Sequence, residues 1–286
     1  MGELLRVLHR KHYPAEIFGY PVENKLEIAS SFRENYMCPF IRERCPKLSR
    51  LIDYPMGVCS VWWPDNNPIA ICPKRFLQDN TIFIKAANHI FGSTNNVLLF
   101  NEVKLESVGT FDFVLVKHKP ISNIIEDFCV VEFQTCSTTS TGKLVNAIKD
   151  YMKGEDITNN SYSFGMNTYN DIKLSFIQML IKGQVFEVWG KKIVWAVQHF
   201  LYENFVNRFN LKDMHFDKKD ANIFFVCNLD YSSEDEYKIV IERTQSSAIE
   251  NLIKAFQGAS LAPNVDEFIE VLHSKLVLKL GMKILQ

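Results

Sequence analysis

The sequences TFDFVLV at residues 110–116 and FCVVEFQ at residues 128–134 decide the fold, because each is an apolar run that carries one acidic residue. Their β-branched and aromatic residues predict two β-strands. Since side chains alternate between the two faces of a strand, Asp112 would lie opposite Phe111 and Phe113. The first strand therefore places an acid on a largely apolar face.

The second strand repeats this pattern, since Glu132 and Gln134 share a face with Val130. The connection between the strands, residues 117–127, is short and polar, so the two strands are expected to pair as neighbours. Glu132 would then converge with Asp112. Burying two like charges is costly unless a cation neutralises them, and hard oxygen ligands are those that Mg²⁺ prefers. The pattern predicts a magnesium site held by these two acids.

A hairpin with a solvated polar face is the alternative interpretation. For Asp112 alone that alternative is the simpler one. The shared pattern with Glu132 and Gln134 favours a site, because unpaired acids are rarely buried. An acid on one strand, followed by acid-x-amide on the next, is also the core pattern of the PD-(D/E)xK nuclease superfamily. The three residue types are common, so the pattern by itself does not identify a nuclease.

Composition bounds the class of protein. A chain of 286 residues with 47% hydrophobic content can bury a large core, as one domain or as a domain with an appended module. It has no run of about eighteen apolar residues, and its start lacks the form of a signal peptide, so a cytoplasmic location is expected. A net charge of -1 argues against indiscriminate coating of nucleic acid. A sequence-specific DNA-binding protein remains compatible with that charge.

Four of the seven cysteines cluster near the N-terminus: Cys38, Cys45, Cys59 and Cys72. In a cytosolic protein such a cluster favours a metal site over disulfides, and four thiolates suit a structural, tetrahedral Zn²⁺ or Fe ion. Buried free thiols are the alternative, since the paired Cys-x-x-Cys spacing is missing. The other three cysteines lie singly in or beside apolar runs and are interpreted as core or incidental residues: Cys129, Cys136 and Cys227.

Basic residues gather around the same module: Arg42, Arg44, Lys47, Arg50, Lys74 and Arg75. They are candidates for contacts with DNA phosphates. A solvated charged face is the alternative, because Glu43 and Asp53 are interspersed among them.

Two further residues are candidates for the site. Glu102 follows the apolar run of residues 97–100 and is either an additional active-site acid or an exposed loop acid. Lys182 lies on a helix predicted over residues 171–189, one turn after Gln178. It either supplies a cation to the site or is a surface lysine.

The remaining periodicity predicts further strands and helices, which indicate an α/β fold. Further strands are predicted at residues 192–198, 223–228 and 237–242. Helices are predicted at residues 4–12, 81–91, 143–153, 199–209, 246–257 and 265–280.

With these motifs placed, the chain resembles the NotI and EagI group of type II restriction endonucleases. The resemblance extends from about residue 18 to about residue 205 and rests on the order of its motifs: Phe18-Gly19, Cys38-Pro39-Phe40, Cys45, Gly57-Val58-Cys59, Cys72-Pro73, Phe111-Asp112, Val131-Glu132-Phe133-Gln134-Thr135 and Phe176-x-Gln178-Met179. It implies a PD-(D/E)xK nuclease core, with a central mixed sheet flanked by helices, and an iron-binding module formed by Cys38, Cys45, Cys59 and Cys72. It also implies a catalytic set of Asp112, Glu132 and Gln134, with Mg²⁺ on the two acids.

The resemblance implies a division into an N-terminal module, residues 1–80, and an endonuclease domain, residues 81–286. The expected activity is Mg²⁺-dependent hydrolysis of double-stranded DNA at a specific palindromic site, giving 5′-phosphate ends. A homodimer is expected, because one chain carries one catalytic set and the duplex has two strands. A cognate DNA methyltransferase is expected in the same restriction-modification system, without direct contact. The alternatives are a non-catalytic DNA-binding protein and a structure-selective nuclease of the same superfamily.

Overall fold

The computed structural model describes residues 11–63, 67–209, 211, 215–232, 235–257 and 264–278. The helix predicted over residues 4–12 lies outside these residues, except for its last two positions. The N-terminal part contains β1 (Pro14–Ile17), β2 (Tyr20–Pro21), α1 (Glu27–Glu34), β3 (Met37–Cys38), β4 (Glu43–Arg44), β5 (Val58–Val61) and β6 (Ile69–Ala70). Four of these strands form a sheet of order β2-β1-β5-β6, and β3 pairs with β4 as a hairpin.

A buried ion pair joins the N-terminal strands to the rest of the chain. Arg75 lies in the 3₁₀ segment Pro73–Asn80, and its Nε donates to Glu16 of β1 at 3.0 Å, with both side chains fully buried. Its Nη2 also donates to the carbonyl oxygen of Tyr237 at 2.6 Å. The division at residue 80 stays a prediction, and the bond from Arg75 to Tyr237 crosses it.

A six-stranded mixed sheet forms the centre of the protein, as predicted. Its strands are β7 (Val97–Leu105), β8 (Gly109–His118), β9 (Ile125–Gln134), β12 (Lys192–Gln198), β13 (Asn222–Tyr231) and β14 (Tyr237–Ser247). Their order is β14-β13-β12-β9-β8-β7, and β12 is parallel to both of its neighbours. Both β12 and β13 are buried along most of their length, as expected of strands covered on both faces. A short pair, β10 (Thr138–Thr139) and β11 (Gly165–Met166), lies outside this sheet.

Helices flank the sheet: α2 (Thr81–Phe91), α3 (Thr141–Met152), α4 (Thr168–Gln178), α5 (Gln184–Val188), α6 (His199–Phe209) and α7 (Ile249–Gln257). The last helix, α8 (Val265–Val277), is exposed along its whole length. The predictions for residues 81–91 and 199–209 agree with the structure at both ends. The helix predicted from residue 246 begins at Ile249, because Ser246 and Ser247 still pair with β13. Within the described part of the chain, no helix is long and apolar enough to cross a membrane.

The helix predicted over residues 171–189 begins earlier, at Thr168, and is interrupted. A π-helical turn, Met179–Gly183, separates α4 from α5. A Cβ atom on Gly183 would lie 2.2 Å from Oδ1 of Asn222, so the turn approaches β13 at a distance that only glycine allows. Turns of this kind are frequent at functional sites.

Candidate active site

The two predicted acids meet where β8 and β9 separate. The last antiparallel pair between these strands is Phe113 with Val131. Beyond it, the acid of each strand accepts a backbone N–H of the other. Glu132 Oε1 accepts from the Asp112 amide at 3.3 Å, and Asp112 Oδ2 accepts from the Phe133 amide at 3.0 Å. The predicted pairing of the strands and convergence of the acids are therefore confirmed.

The separation of the strands also changes the neighbours of Phe111. Phe113 packs against Phe83 of α2 with ring centroids 4.9 Å apart, whereas Phe111 packs against Phe186 of α5 at 5.6 Å. The prediction that Phe111 and Phe113 share one face is wrong, because strict alternation holds only while the strand remains regular.

The acids differ in their exposure to solvent. Glu132 is 1% exposed, whereas Asp112 is half-buried. Burial, and then the negative charge of Asp112, raise the pKa of Glu132 to about 7 from an ordinary value of 4.5, against the opposing effect of Lys182. Within the described residues, Oδ1 of Asp112 accepts no hydrogen bond. The pair therefore disfavours the ionised form of Glu132 and leaves Oδ1 of Asp112 as a free carboxylate oxygen.

Lys182 provides the nearest positive charge. It lies in the π-helical turn, and its Nζ donates to Glu132 Oε2 at 2.7 Å and to the carbonyl oxygen of Thr110 at 2.8 Å. The residue is buried, so its interpretation as a surface lysine is wrong. The position of Lys182 instead matches the other interpretation, in which it supplies a positive charge to the acids.

Gln134 is held by two residues of α4. Ser175 Oγ donates to Gln134 Oε1 at 2.5 Å, and Gln134 Nε2 donates to Gln178 Oε1 at 3.0 Å. One turn earlier, Asp171 accepts from both the amide and the hydroxyl of Ser137. Ser175 and Asp171 are not among the residues predicted for the site from the sequence. Their helical spacing with Gln178 and Lys182 places four polar residues on one face, a signal that was present in the sequence.

An open cleft of about 680 Å³ lies over these residues. Asp112, Gln134 and Gln178 line its floor, and Lys74 enters it from the N-terminal part of the chain. Glu102 also lines it. This residue is exposed, as its alternative interpretation expected, but it lies in the edge strand β7 with φ of 53° and not in a loop. The pairs on either side of it place Glu102 beside Asp112.

The family model for restriction endonuclease NotI matches residues 22–238. The chain belongs to the NotI restriction endonuclease family. It is a site-specific deoxyribonuclease, a hydrolase that binds double-stranded DNA. The matched range includes every residue that lines the cleft. No curated protein matches the chain significantly.

The four N-terminal cysteines of this NotI-family enzyme are reduced, and three of them are buried. Burial raises the pKa of Cys38, Cys59 and Cys72, and neighbouring thiols of the same set add to the effect. Within the described ranges, no group of three or more His, Cys, Asp or Glu side chains has an arrangement that would hold a metal ion. The side chains as they stand therefore match the alternative of buried free thiols. The other three cysteines are buried, as predicted.

The predicted DNA-contacting residues have different environments. Arg75 is completely buried in its bond with Glu16, so the prediction that it meets phosphates is wrong. Lys74, the residue before it, lines the cleft. Arg42, Arg44 and Arg50 are exposed, and Lys47 donates to the carbonyl oxygen of Ile71 at 3.0 Å. Arg75 differs from Lys74 in its burial, and nothing in the sequence around the two residues indicates that difference.

Proposed function

We propose that this enzyme hydrolyses phosphodiester bonds in a Mg²⁺-dependent reaction at a specific palindromic site, leaving 5′-phosphate ends. Its catalytic residues are Asp112, Glu132 and Gln134, on a PD-(D/E)xK core. The observation that carries the proposal is the pair of acids that bridge two separating strands, one of which, Asp112, lines an open cleft. The two close carboxylates repel each other, and a divalent cation bound by both would offset that repulsion.

The residues present fit a magnesium ion by their donor chemistry. Asp112 offers a free Oδ1 at the cleft, and Glu132 Oε1 lies against the Asp112 amide in a long hydrogen bond of 3.3 Å. Mg²⁺ commonly takes one or two protein carboxylates and completes its shell with water and substrate phosphate. When bound, the ion supplies positive charge at the scissile phosphate.

The protein side chains contribute positioning and electrostatic attraction. Gln134 is fixed by Ser175 and Gln178, and its amide keeps a second N–H with which to orient the attacking water. An amide neither carries charge nor accepts a proton at neutral pH, so Gln134 does not act as the base. Lys74 is placed to attract a phosphate into the cleft. Arg42, Arg44 and Lys47 are proposed as weaker backbone contacts on the same module, and Glu102 as an additional acid beside Asp112.

The working unit is proposed to be a homodimer, because a two-fold axis would place two equivalent catalytic sets on the two strands of a palindrome. Sedimentation of the protein should therefore give the mass of two chains. A monomer that cuts only one strand would contradict the dimer. A cognate DNA methyltransferase in the same system would protect the host site without contacting this enzyme.

A structural Fe or Zn ion at Cys38, Cys45, Cys59 and Cys72 is a separate proposal. It is supported by the chemistry of four sulfur donors and by the raised pKa of Cys38, Cys59 and Cys72, to which neighbouring thiols of the set contribute. The described side chains do not have the arrangement that would hold the ion. Binding would require the thiols to ionise and move together.

Digestion of plasmid DNA of known sequence tests the proposed activity. With Mg²⁺, the wild-type enzyme should give discrete fragments whose ends carry 5′-phosphate, and with EDTA it should bind without cutting. Asp112→Asn and Glu132→Gln proteins serve as controls and should not cut. DNA binding without cutting under all conditions would favour a non-catalytic DNA-binding protein. Nicking or diffuse degradation would favour a structure-selective nuclease.

A further inference from the structure

We propose that Lys182 is a positioning residue that holds Glu132 Oε2, so that Glu132 presents only Oε1 to the catalytic cation. This inference rests on the proposed function. The lysine does not line the cleft and acts through Glu132. It is therefore distinct from the residues that meet DNA.

The ammonium group is fully engaged inside the protein. One contact is with Glu132 Oε2 at 2.7 Å and a second is with the carbonyl oxygen of Thr110 at 2.8 Å. The third side of the ammonium faces the ring of Phe111, whose centroid lies 5.4 Å from Nζ. Lysine has three N–H donors and no acceptor, so none is left to orient a water or a phosphate.

The backbone around Lys182 holds this arrangement in place. The π-helical turn that carries Lys182 packs closely against Asn222, because Gly183 has no side chain. Asn222 Oδ1 in turn accepts a hydrogen bond from Nε1 of the buried Trp195 at 3.1 Å. The lysine is therefore anchored to two central strands, β12 and β13, on one side and to β8 and β9 on the other.

The contact with Lys182 limits the number of carboxylate oxygens that can bind a cation. Lys182 engages Oε2 of Glu132, and the Phe133 amide engages Oδ2 of Asp112. Oδ1 of Asp112 and Oε1 of Glu132, which carries only the long 3.3 Å bond from the Asp112 amide, remain for the cation, and this disfavours bidentate binding by Glu132. Mg²⁺ tolerates this, because it demands octahedral geometry with few protein ligands, whereas Ca²⁺ accepts six to eight oxygens and often takes bidentate carboxylates. Lys182 should therefore contribute to the preference for Mg²⁺ over Ca²⁺.

A second lysine, which bonds another acid of β9, provides the control. Lys191 Nζ bonds Asp127 of β9 at 2.6 Å and lies 5.4 Å from the ring centroid of Phe128, so its contacts repeat those of Lys182. This pair is partly exposed and lies outside the cleft. Lys182→Met and Lys191→Met thus each remove a lysine–carboxylate ion pair and a contact with a phenylalanine ring, the first beside the catalytic acids and the second outside the cleft.

The experiment measures cation binding by calorimetry, cleavage rate, DNA affinity in EDTA and thermal unfolding. Lys182→Met should lower cleavage about 10- to 100-fold, as expected when the partner of a metal ligand is removed. It should reduce the ratio of Mg²⁺ to Ca²⁺ affinity about tenfold, with DNA affinity in EDTA unchanged. Lys182→Arg, which keeps the charge, should recover part of both properties. Lys191→Met should behave as the wild type.

The outcomes separate this inference from the proposed function. If the wild-type enzyme neither binds Mg²⁺ nor cuts, the proposed function fails. If the wild type cuts but Lys182→Met keeps its rate and cation preference, only the role of Lys182 is refuted. Loss of thermal stability with an unchanged cation preference would likewise reduce Lys182 to a structural residue. Should Lys182→Met not fold, Lys182→Gln retains an N–H donor and provides the same comparison.

Discussion

Replacing Asp112 with asparagine should abolish cleavage and, at high pH, stabilise the metal-free protein. The amide keeps an oxygen to accept the Phe133 N–H and removes only the charge. Because the charge of Asp112 helps to raise the pKa of Glu132, its removal should bring that pKa back toward its ordinary value. Loss of one of two metal-binding acids should reduce cleavage about a thousandfold or more.

The size of the stability effect follows from the same pKa. A value of about 7 against an ordinary 4.5 corresponds to about 3 kcal/mol for ionising Glu132 in the folded protein. Burial is the larger cause, so we take less than half of this free energy, about 1 kcal/mol, as the share of Asp112. A raised pKa in an acid stabilises the fold below the unfolded value, and this contribution is lost as pH rises through 7. The gain from Asp112→Asn should therefore be small at pH 5 and reach about 1 kcal/mol at pH 8.5.

Thermal unfolding in EDTA at these two pH values is the assay. A gain of about 1 kcal/mol should raise Tm by about 3 °C in a chain of this size. Asp127→Asn is the control, since it removes an acid of the neighbouring strand β9 that pairs with Lys191 outside the cleft. It should cut normally and show no such pH dependence. An Asp112→Asn protein that loses Tm equally at both pH values, or that cuts DNA normally, would refute the reasoning.

Three further predictions concern other residues. Gln134→Ala should cut more slowly yet keep its Mg²⁺ dependence, which a magnesium titration of the rate measures. Arg75→Met should cost about 3–5 kcal/mol by calorimetric unfolding, because it leaves Glu16 buried and unpaired. Lys74→Met should instead weaken DNA binding at unchanged Tm, and equal effects of the two substitutions would contradict the assignments. Elemental analysis should find about one Fe or Zn per chain in the wild type and none in Cys59→Ser; a metal-free Cys59→Ser protein with full stability and activity would exclude the structural ion.

The sequence by itself determined most elements of the central sheet and the two acids. Alternation along residues 110–116 and 128–134 placed Asp112 and Glu132 on paired strands, because a side chain in a regular strand has only two directions to point. The order of the motifs likewise determined the family, which the match over residues 22–238 confirmed. These properties depend on neighbours along the chain or on the succession of motifs, and both are written in the sequence.

Only the tertiary structure decided the partners of the charged residues. Lys182 had two interpretations until the π-helical turn and Gly183 brought it to Glu132, and Arg75 was indistinguishable from Lys74 until Glu16 enclosed it. Phe111 left its predicted face where β8 and β9 separate. In each case, the cause lies in residues distant along the chain. Periodicity describes the direction of a side chain within one element, whereas burial and pairing depend on which elements pack together.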